Sequence, residues 1–135
     1  MRLLKFSQIV QHSFFQYMIG NTDFSISYQH NGKLLFAEKV FLPLPYDFDM
    51  TGWVNPSYGF GNPTLDLSSL TERRYRGFKR DKEVFDTVRN QFIGIKDQIT
   101  SLVKSFELEF DSKKQYETMF GFMEEFFEII EDDSK

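Results

Sequence analysis

Cysteine is absent from the 135-residue chain, and histidine and tryptophan are scarce, with two residues and one. The lack of cysteine excludes disulfides, thiol catalysis and cysteine-based zinc sites. The only histidines, His12 and His30, do not stand at metal-ligand spacing from each other, and we expect His12 on the polar side of a helix. No uncharged apolar run approaches the roughly 20 residues that a membrane-spanning helix needs. We therefore expect a cytoplasmic protein with no membrane partner, no metal and no cofactor.

Apolar residues make up 41% of the sequence and charged residues 27%, and phenylalanine alone occurs 17 times. This balance is typical of globular proteins, and the length is that of one domain with one core. Large aromatic side chains bury much area in cores. The sequence therefore predicts a single domain over residues 1–135 with a core rich in phenylalanine.

The first half of the chain contains signals for a helix and a β-hairpin. Apolar residues at three-and-four spacing predict a helix over residues 5–19, and Gly20 ends it. Residues 22–29 then alternate between polar and apolar, which predicts a strand. Asn31-Gly32 is the sequence of a tight type I′ turn, so residues 33–41 are predicted to return as the second strand.

The segment from Leu42 to about Ser69 is predicted to be one long loop, because proline and glycine recur throughout it. Loops of this length in compact domains are usually functional or disordered, and the aromatic residues argue against disorder. Trp53 and Tyr58 are the loop residues that we expect to meet a partner.

The second half is predicted to contain a helix over residues 82–104, a strand over residues 105–110 and a last helix. Apolar residues of the first helix repeat every three or four positions, and Phe106, Leu108 and Phe110 alternate with glutamates. Asp111-Ser112 provides caps for the last helix, which ends near Glu131. The predicted class is α+β, in the order α-β-β-long loop-α-β-α, with an antiparallel hairpin packed by helices.

The net charge of −4 is unevenly distributed. Acidic residues of the last helix fall opposite its Phe and Met face, and we call this set the acidic ribbon: Glu117, Glu124, Glu125, Glu128, Glu131 and Asp132. Like charges at helical spacing cost a few tenths of a kcal/mol per pair. Three explanations stay open: solubility, steering of a basic partner, and pairing with basic residues elsewhere in the chain.

A second charged feature is an arginine-rich run in which cations alternate with aromatic residues. Its basic members are Arg73, Arg74, Arg76, Lys79 and Arg80. Such a run is typical of phosphate binding and base stacking, so a nucleic-acid or phosphate binder is one alternative function. Because nucleic-acid-binding domains are usually basic across a face and this chain is acidic, nucleic acid is not the expected partner.

Catalytic motifs are missing: there is no Gly-x-Ser-x-Gly elbow and no His-Glu-x-x-His pair. We therefore do not expect an enzyme. The alternative of a small enzyme or ligand binder would have its site in the loop of residues 43–63, with Asp47, Asp49 and His30 as its chemical groups.

The leading prediction is a non-catalytic, acidic protein-interaction module. It would bind a partner with a basic surface through the acidic ribbon, the loop with Trp53 and Tyr58, or both. In composition the chain resembles the small acidic immunity and antitoxin proteins that inhibit basic nucleases, although it shares no motif with them. This resemblance implies an inhibitor of a toxin-like partner.

Overall fold

The computed structural model describes residues 6–132 and has four helices and one two-stranded antiparallel sheet in this range. The helices are Phe6–Met18 (α1), Lys82–Gly94 (α2), Lys96–Ser105 (α3) and Lys113–Glu131 (α4), and the strands are Gly32–Ala37 (β1) and Val40–Pro45 (β2). The hairpin packs on α1 through β2. The predicted α+β class, with a helix-packed antiparallel hairpin, is confirmed.

The chain divides between Val88 and Arg89 into two compact units, the N-terminal unit and the C-terminal unit. In the N-terminal unit, α1 buries its apolar face and ends where predicted, at Gly20 with a φ of 67°. Buried apolar residues of this unit are Ile9, Val10, Phe14, Met18, Ile19, Phe24, Leu67, Leu70 and Val88. Phe14 and Phe85 pack with ring centroids 4.9 Å apart, so phenylalanine contributes to this core beside a majority of aliphatic residues.

The hairpin lies later in the chain than predicted. Its two-residue turn is Glu38-Lys39, whose φ values of 50° and 66° are those of a type I′ turn, and Asn31-Gly32 leads into β1. Residues 22–29 are not a strand and form only an isolated bridge between Ser25 and His30. Phe24 is the buried apolar residue of this segment. Its carbonyl oxygen accepts a hydrogen bond from Arg76 and not from a neighbouring strand.

The long helix predicted over residues 82–104 is interrupted at Ile95, whose φ of −106° and ψ of 9° are not helical. The interruption follows Gly94, which has weak helix propensity. The strand predicted over residues 105–110 is wrong: a 3-10 helix, Glu107–Glu109, occupies it. A strand needs a second strand to pair with, and the described residues of the C-terminal unit contain none. The alternation of residues 105–110 was therefore not sufficient to produce a strand.

In the C-terminal unit, α3 and α4 run antiparallel. The ammonium group of Lys96 lies 5.6 Å from the ring centroid of Phe127, and that of Lys104 lies 5.7 Å from the ring centroid of Phe120. The buried apolar residues of this unit are Phe92, Val103, Tyr116, Phe122, Met123, Phe126, Phe127 and Ile130. Over residues 6–132, every helix is too short or too polar to cross a lipid bilayer.

Candidate functional site

The acidic ribbon lies on the exposed face of α4. The helix begins as predicted at Ser112, whose hydroxyl accepts a hydrogen bond from the Gln115 amide at 3.1 Å. The Phe and Met face is buried, whereas all six ribbon residues are exposed. The helix therefore has one apolar face that is used in packing and one acidic face that is not.

Only part of the ribbon is neutralised inside its own unit. Lys96 pairs with Glu131 at 2.9 Å, and this hydrogen bond raises the pKa of Lys96. Lys113 pairs with Glu117 at 3.8 Å. The carboxylates of Glu124 and Glu128 make no ion pair or hydrogen bond with any residue in the described range. The centre of the ribbon thus presents two exposed carboxylates without an ion-pair partner, one helical turn apart, although the charge of Glu124 also attracts Lys96.

The charge of the ribbon belongs to a wider asymmetry between the two units. Residues 89–132 contain ten acidic and five basic residues, whereas residues 6–88 contain nine acidic and eight basic residues. The negative net charge of the chain is therefore carried by the C-terminal unit.

Arg73 holds the C-terminal end of α1. Its guanidinium donates to the carbonyl oxygens of Tyr17 at 3.0 Å and Met18 at 3.1 Å. The Trp53 amide donates to the carbonyl of Ile19 at 3.0 Å, and the next carbonyl accepts from the Gly52 amide. The last carbonyls of a helix lack partners within the helix, and a cation at this end also suits the helix dipole. The Tyr17 carbonyl also accepts from the Gly20 amide, so Arg73 adds a charged donor there, and Arg73 and the backbone at Trp53 supply donors to the Met18 and Ile19 carbonyls.

Two further members of the arginine-rich run have contacts within the N-terminal unit. Arg76 donates to the carbonyl oxygens of Thr22 at 2.6 Å and Phe24 at 2.8 Å. The Arg80 guanidinium lies 4.8 Å from the ring centroid of Phe6. Arg74, Arg76 and Lys79 are all exposed, so Arg76 is partly open to solvent although its guanidinium holds two carbonyl oxygens. The run, which was identified as a phosphate-binding candidate, therefore has a structural role in Arg73 and Arg76.

The loop predicted to carry a site exposes some of its aromatic residues. Trp53 is half-buried, whereas Tyr58 and Phe60 are 70% and 68% exposed. Phe60 also lines an open cleft of about 340 Å³ together with Asp23, Met50 and Leu70. The turn beside it depends on Gly61, because a Cβ atom there would lie 2.1 Å from the carbonyl oxygen of Leu67.

The polar groups named for the enzyme alternative lie on the surface near this loop. His30 pairs with Asp23 at 2.8 Å. A hydrogen bond with Asp49 and repulsion from its charge raise the pKa of Asp47. Repulsion from Asp23 raises this pKa further, and His30 lowers it. Sequence reasoning brought together Asp47, Asp49 and His30 but missed Asp23. No group of three histidine or acidic side chains in residues 6–132 has the geometry to hold a metal ion.

His12 is buried, contrary to the prediction that it lies on the polar side of α1. The Gln16 amide nitrogen is 3.4 Å from His12 Nε2, and Gln16 Oε1 accepts from the Asn21 side chain at 2.7 Å. This second bond fixes the Gln16 nitrogen as a donor, so His12 Nε2 is an acceptor and the ring is neutral. Burial lowers the pKa of His12 from its ordinary value of 6.5 to about 4.

Sequence reasoning also missed two groups of exposed apolar residues. In the hairpin, Leu35, Phe36 and Leu44 are 46%, 58% and 46% exposed. In the C-terminal unit, Leu102 and Leu108 are 61% and 96% exposed. Of the apolar residues whose spacing predicts the helix over residues 82–104, Ile95 and Leu102 are 41% and 61% exposed, whereas Val88 and Phe92 are buried.

No protein-family model matches the chain, and no curated protein or solved structure is significantly similar to it. The residues themselves define an α+β protein with an acidic exposed helix face. Conclusions about function therefore depend on the surfaces described above.

Proposed function

We propose that this protein is a non-catalytic protein-interaction module whose acidic ribbon binds a partner with a basic surface. The observation that carries the proposal is the pair Glu124 and Glu128, exposed at the centre of the ribbon, whose carboxylates make no ion pair or hydrogen bond in residues 6–132. Acids in the last turn of a helix oppose its dipole, so the ribbon costs stability instead of adding it. A binding role gives this unfavourable arrangement a purpose.

The partner that fits is a protein whose own binding groove is basic, such as a nuclease. An immunity- or antitoxin-type inhibitor would act by covering that groove with the helix, and the proposal includes a cytoplasmic location. Complementary charge raises the rate of association by about 10-fold or more at low ionic strength. Tyr58, exposed on the long loop of the N-terminal unit, is available as an apolar contact within the same proposal.

The test compares two variants of equal charge change. Glu124→Lys/Glu128→Lys reverses the centre of the ribbon, whereas Glu107→Lys/Glu109→Lys reverses two exposed acids of the 3-10 helix in the same unit. Partners are captured from a lysate at low salt, identified, purified and measured by stopped-flow association. We expect the ribbon variant to lower the association rate constant about 10-fold and the matched variant to lower it much less.

The melting temperature of the ribbon variant should be close to that of the parent, because relief of acid–acid repulsion and a better fit to the helix dipole offset the lost attraction between Glu124 and Lys96. A partner that binds both variants equally, at a rate independent of salt, would contradict the proposal. In that case the ribbon would be a coat that keeps a phenylalanine-rich protein soluble.

A further inference from the structure

The two edges of the hairpin differ in their capacity to form hydrogen bonds. Asn31 accepts a hydrogen bond from the Tyr46 amide at 3.1 Å, so Asn31 is directed toward β2. Alternate residues of an antiparallel strand face the same side, so Leu34 and Phe36 direct their N–H and C=O groups away from β2. The bridge between Ser25 and His30 lies on this same outer side and pairs with the backbone at residue 30, and Ser25 and Ile26 also line a small cavity with Leu34.

The outer edge of β2 is blocked. The register pairs Pro43 with Leu34 and Pro45 with Gly32, so both prolines occupy positions whose N–H would point away from β1. Proline has no N–H and is confined to such edge positions in sheets. The outer edge of β1 has no proline and no bulge, and no residue of the described chain hydrogen-bonds to Leu34 or Phe36 on that side.

The surroundings of the open edge are apolar. Leu35 and Leu44 are exposed on one face of the hairpin, and Phe36 is exposed near its turn, with its ring centroid 5.0 Å from that of Phe41. An open edge with exposed apolar residues is a template for another strand, and soluble proteins usually protect such edges. Lys33 lies at the start of this edge and Lys39 in the turn, and neither has an ion-pair partner in residues 6–132.

We propose that the outer edge of β1 binds a short extended segment of another protein, which adds as an antiparallel third strand. The segment spans about four residues, because the Ser25–His30 bridge limits the edge at one end and the turn at the other. Two residues of the segment exchange hydrogen bonds with Leu34 and Phe36, and the side chains beside them are apolar or acidic to match Leu35 and Lys33. This site is separate from the acidic ribbon and does not depend on it.

The test uses a displayed library of random peptides of about ten residues, from which the most enriched peptide is synthesised. Amide hydrogen exchange is then measured by NMR on the full chain with and without that peptide. The Leu34 and Phe36 amides should exchange fast in the free protein and slow at least 10-fold with peptide, whereas Lys33 and Leu35, already bonded to β2, should change little. Slowing of all four amides alike, or of none, would overturn the proposal.

Substitutions provide a second readout. Phe36→Pro removes the outward N–H, and Phe36→Val removes the ring but keeps the N–H. We expect peptide affinity to fall about 10-fold more for the proline variant than for the valine variant, which corresponds to about 1.4 kcal/mol for the lost pairing. Trp53 fluorescence reports whether each variant is folded.

If Phe36→Pro does not fold, N-methylation of the peptide gives the same information without altering the protein. N-methylation of the peptide residues that face Leu34 and Phe36 should abolish binding, because it removes the N–H groups that pair with β1. N-methylation of the residues between them should be tolerated. Equal effects at every peptide position would refute strand addition. Sedimentation of the peptide-free protein as a dimer that Phe36→Val keeps and Phe36→Pro abolishes would show that a second copy fills the edge, which would overturn the assignment to a different protein.

Discussion

His12 makes the folding stability of the N-terminal unit depend on pH in a window that can be calculated. In the unfolded chain, the ring binds a proton with the ordinary pKa of 6.5, whereas burial in the folded protein lowers the pKa to about 4. Below pH 6.5 the unfolded state therefore binds more protons than the folded state, and the free energy of unfolding falls as the pH falls. Above pH 6.5 His12 contributes no pH dependence, and below about pH 4 both states are protonated.

The size of the effect follows from the difference between the two pKa values. One pKa unit corresponds to 1.36 kcal/mol, so His12 removes about 3 kcal/mol between pH 6.5 and pH 4. Small proteins are stable by about 5–15 kcal/mol in total, so this loss is a large part of the whole. The structural cause is burial of the ring, which disfavours its charged form, and the Gln16 amide nitrogen lies 3.4 Å from Nε2.

The assay is urea unfolding at pH values from 7.5 to 4, followed by the fluorescence of Trp53, the only tryptophan, which lies in the same unit as His12. Because carboxyl groups also titrate in this range, the parent is compared with His12→Leu. At pH 7.5 the variant should be less stable by about 1–3 kcal/mol, since it leaves the buried Gln16 amide without its acceptor. As the pH falls to 4, the parent should lose about 3 kcal/mol relative to the variant, so the difference should vanish or change sign.

A difference between parent and variant that stays constant from pH 7.5 to pH 4 would refute this reasoning. NMR titration of the His12 ring provides the direct check, with an expected midpoint near pH 4. The variant His30→Gln removes the only other histidine signal and makes the assignment unambiguous.

Two further predictions concern stability at neutral pH. Arg73→Ala should lower the free energy of unfolding by about 2–4 kcal/mol, because it leaves the last carbonyls of α1 without charged donors, whereas Arg74→Ala, at an exposed neighbour, should change it by less than about 0.5 kcal/mol. Equal effects of the two in urea unfolding would contradict the assigned contacts. Gly121→Ala should raise stability by about 0.5–1 kcal/mol, because nothing lies within 4 Å of the added Cβ on α4, whereas Gly61→Ala should lower it by about 1–3 kcal/mol through overlap with Leu67. Thermal melts that show the same sign for both glycine variants would be inconsistent with this geometry.

Local signals predicted the end of α1 and the start of α4, but not the break between α2 and α3 at Ile95. Gly20 ends α1 and Ser112 caps α4, and each acts within a few residues of its own position. The two faces of α4 also follow from spacing alone, because both are set by the helical repeat. The acidic ribbon is therefore predictable from the sequence, although no pattern in the sequence says which of its acids form ion pairs.

The errors in the hairpin come from competition between segments distant in sequence. Asn31-Gly32 has the stronger turn chemistry, but the turn forms at Glu38-Lys39, where residues with side chains adopt positive φ. The contacts that hold residues 22–24 away from a strand come from Arg76, more than 50 positions away. Turn propensity carries no information about such a contact.

The features that sequence reasoning missed leave weaker signals, and of these the blocked edge of β2 could have been predicted from the sequence. Pro43 and Pro45 alternate within an apolar segment, and alternating prolines indicate an edge strand with one blocked side. Burial of His12 was not readable, because its position on α1 is compatible with either face until Phe24 packs on it at 5.5 Å between ring centroids.

The two proposed surfaces differ in physical character and therefore fail independently. The acidic ribbon lies in the C-terminal unit, where acidic residues outnumber basic ones ten to five in the described range, and its binding must weaken as salt screens the charges. The edge of β1 lies in the N-terminal unit, where described charges nearly balance, and backbone hydrogen bonds with apolar flanks respond little to salt. A partner lost at high salt but retained by Phe36→Pro uses the ribbon, and a partner with the opposite behaviour uses the edge. A salt titration of partner binding, carried out on the parent and on Phe36→Pro, separates these outcomes. Disproof of one surface therefore leaves the evidence for the other unchanged.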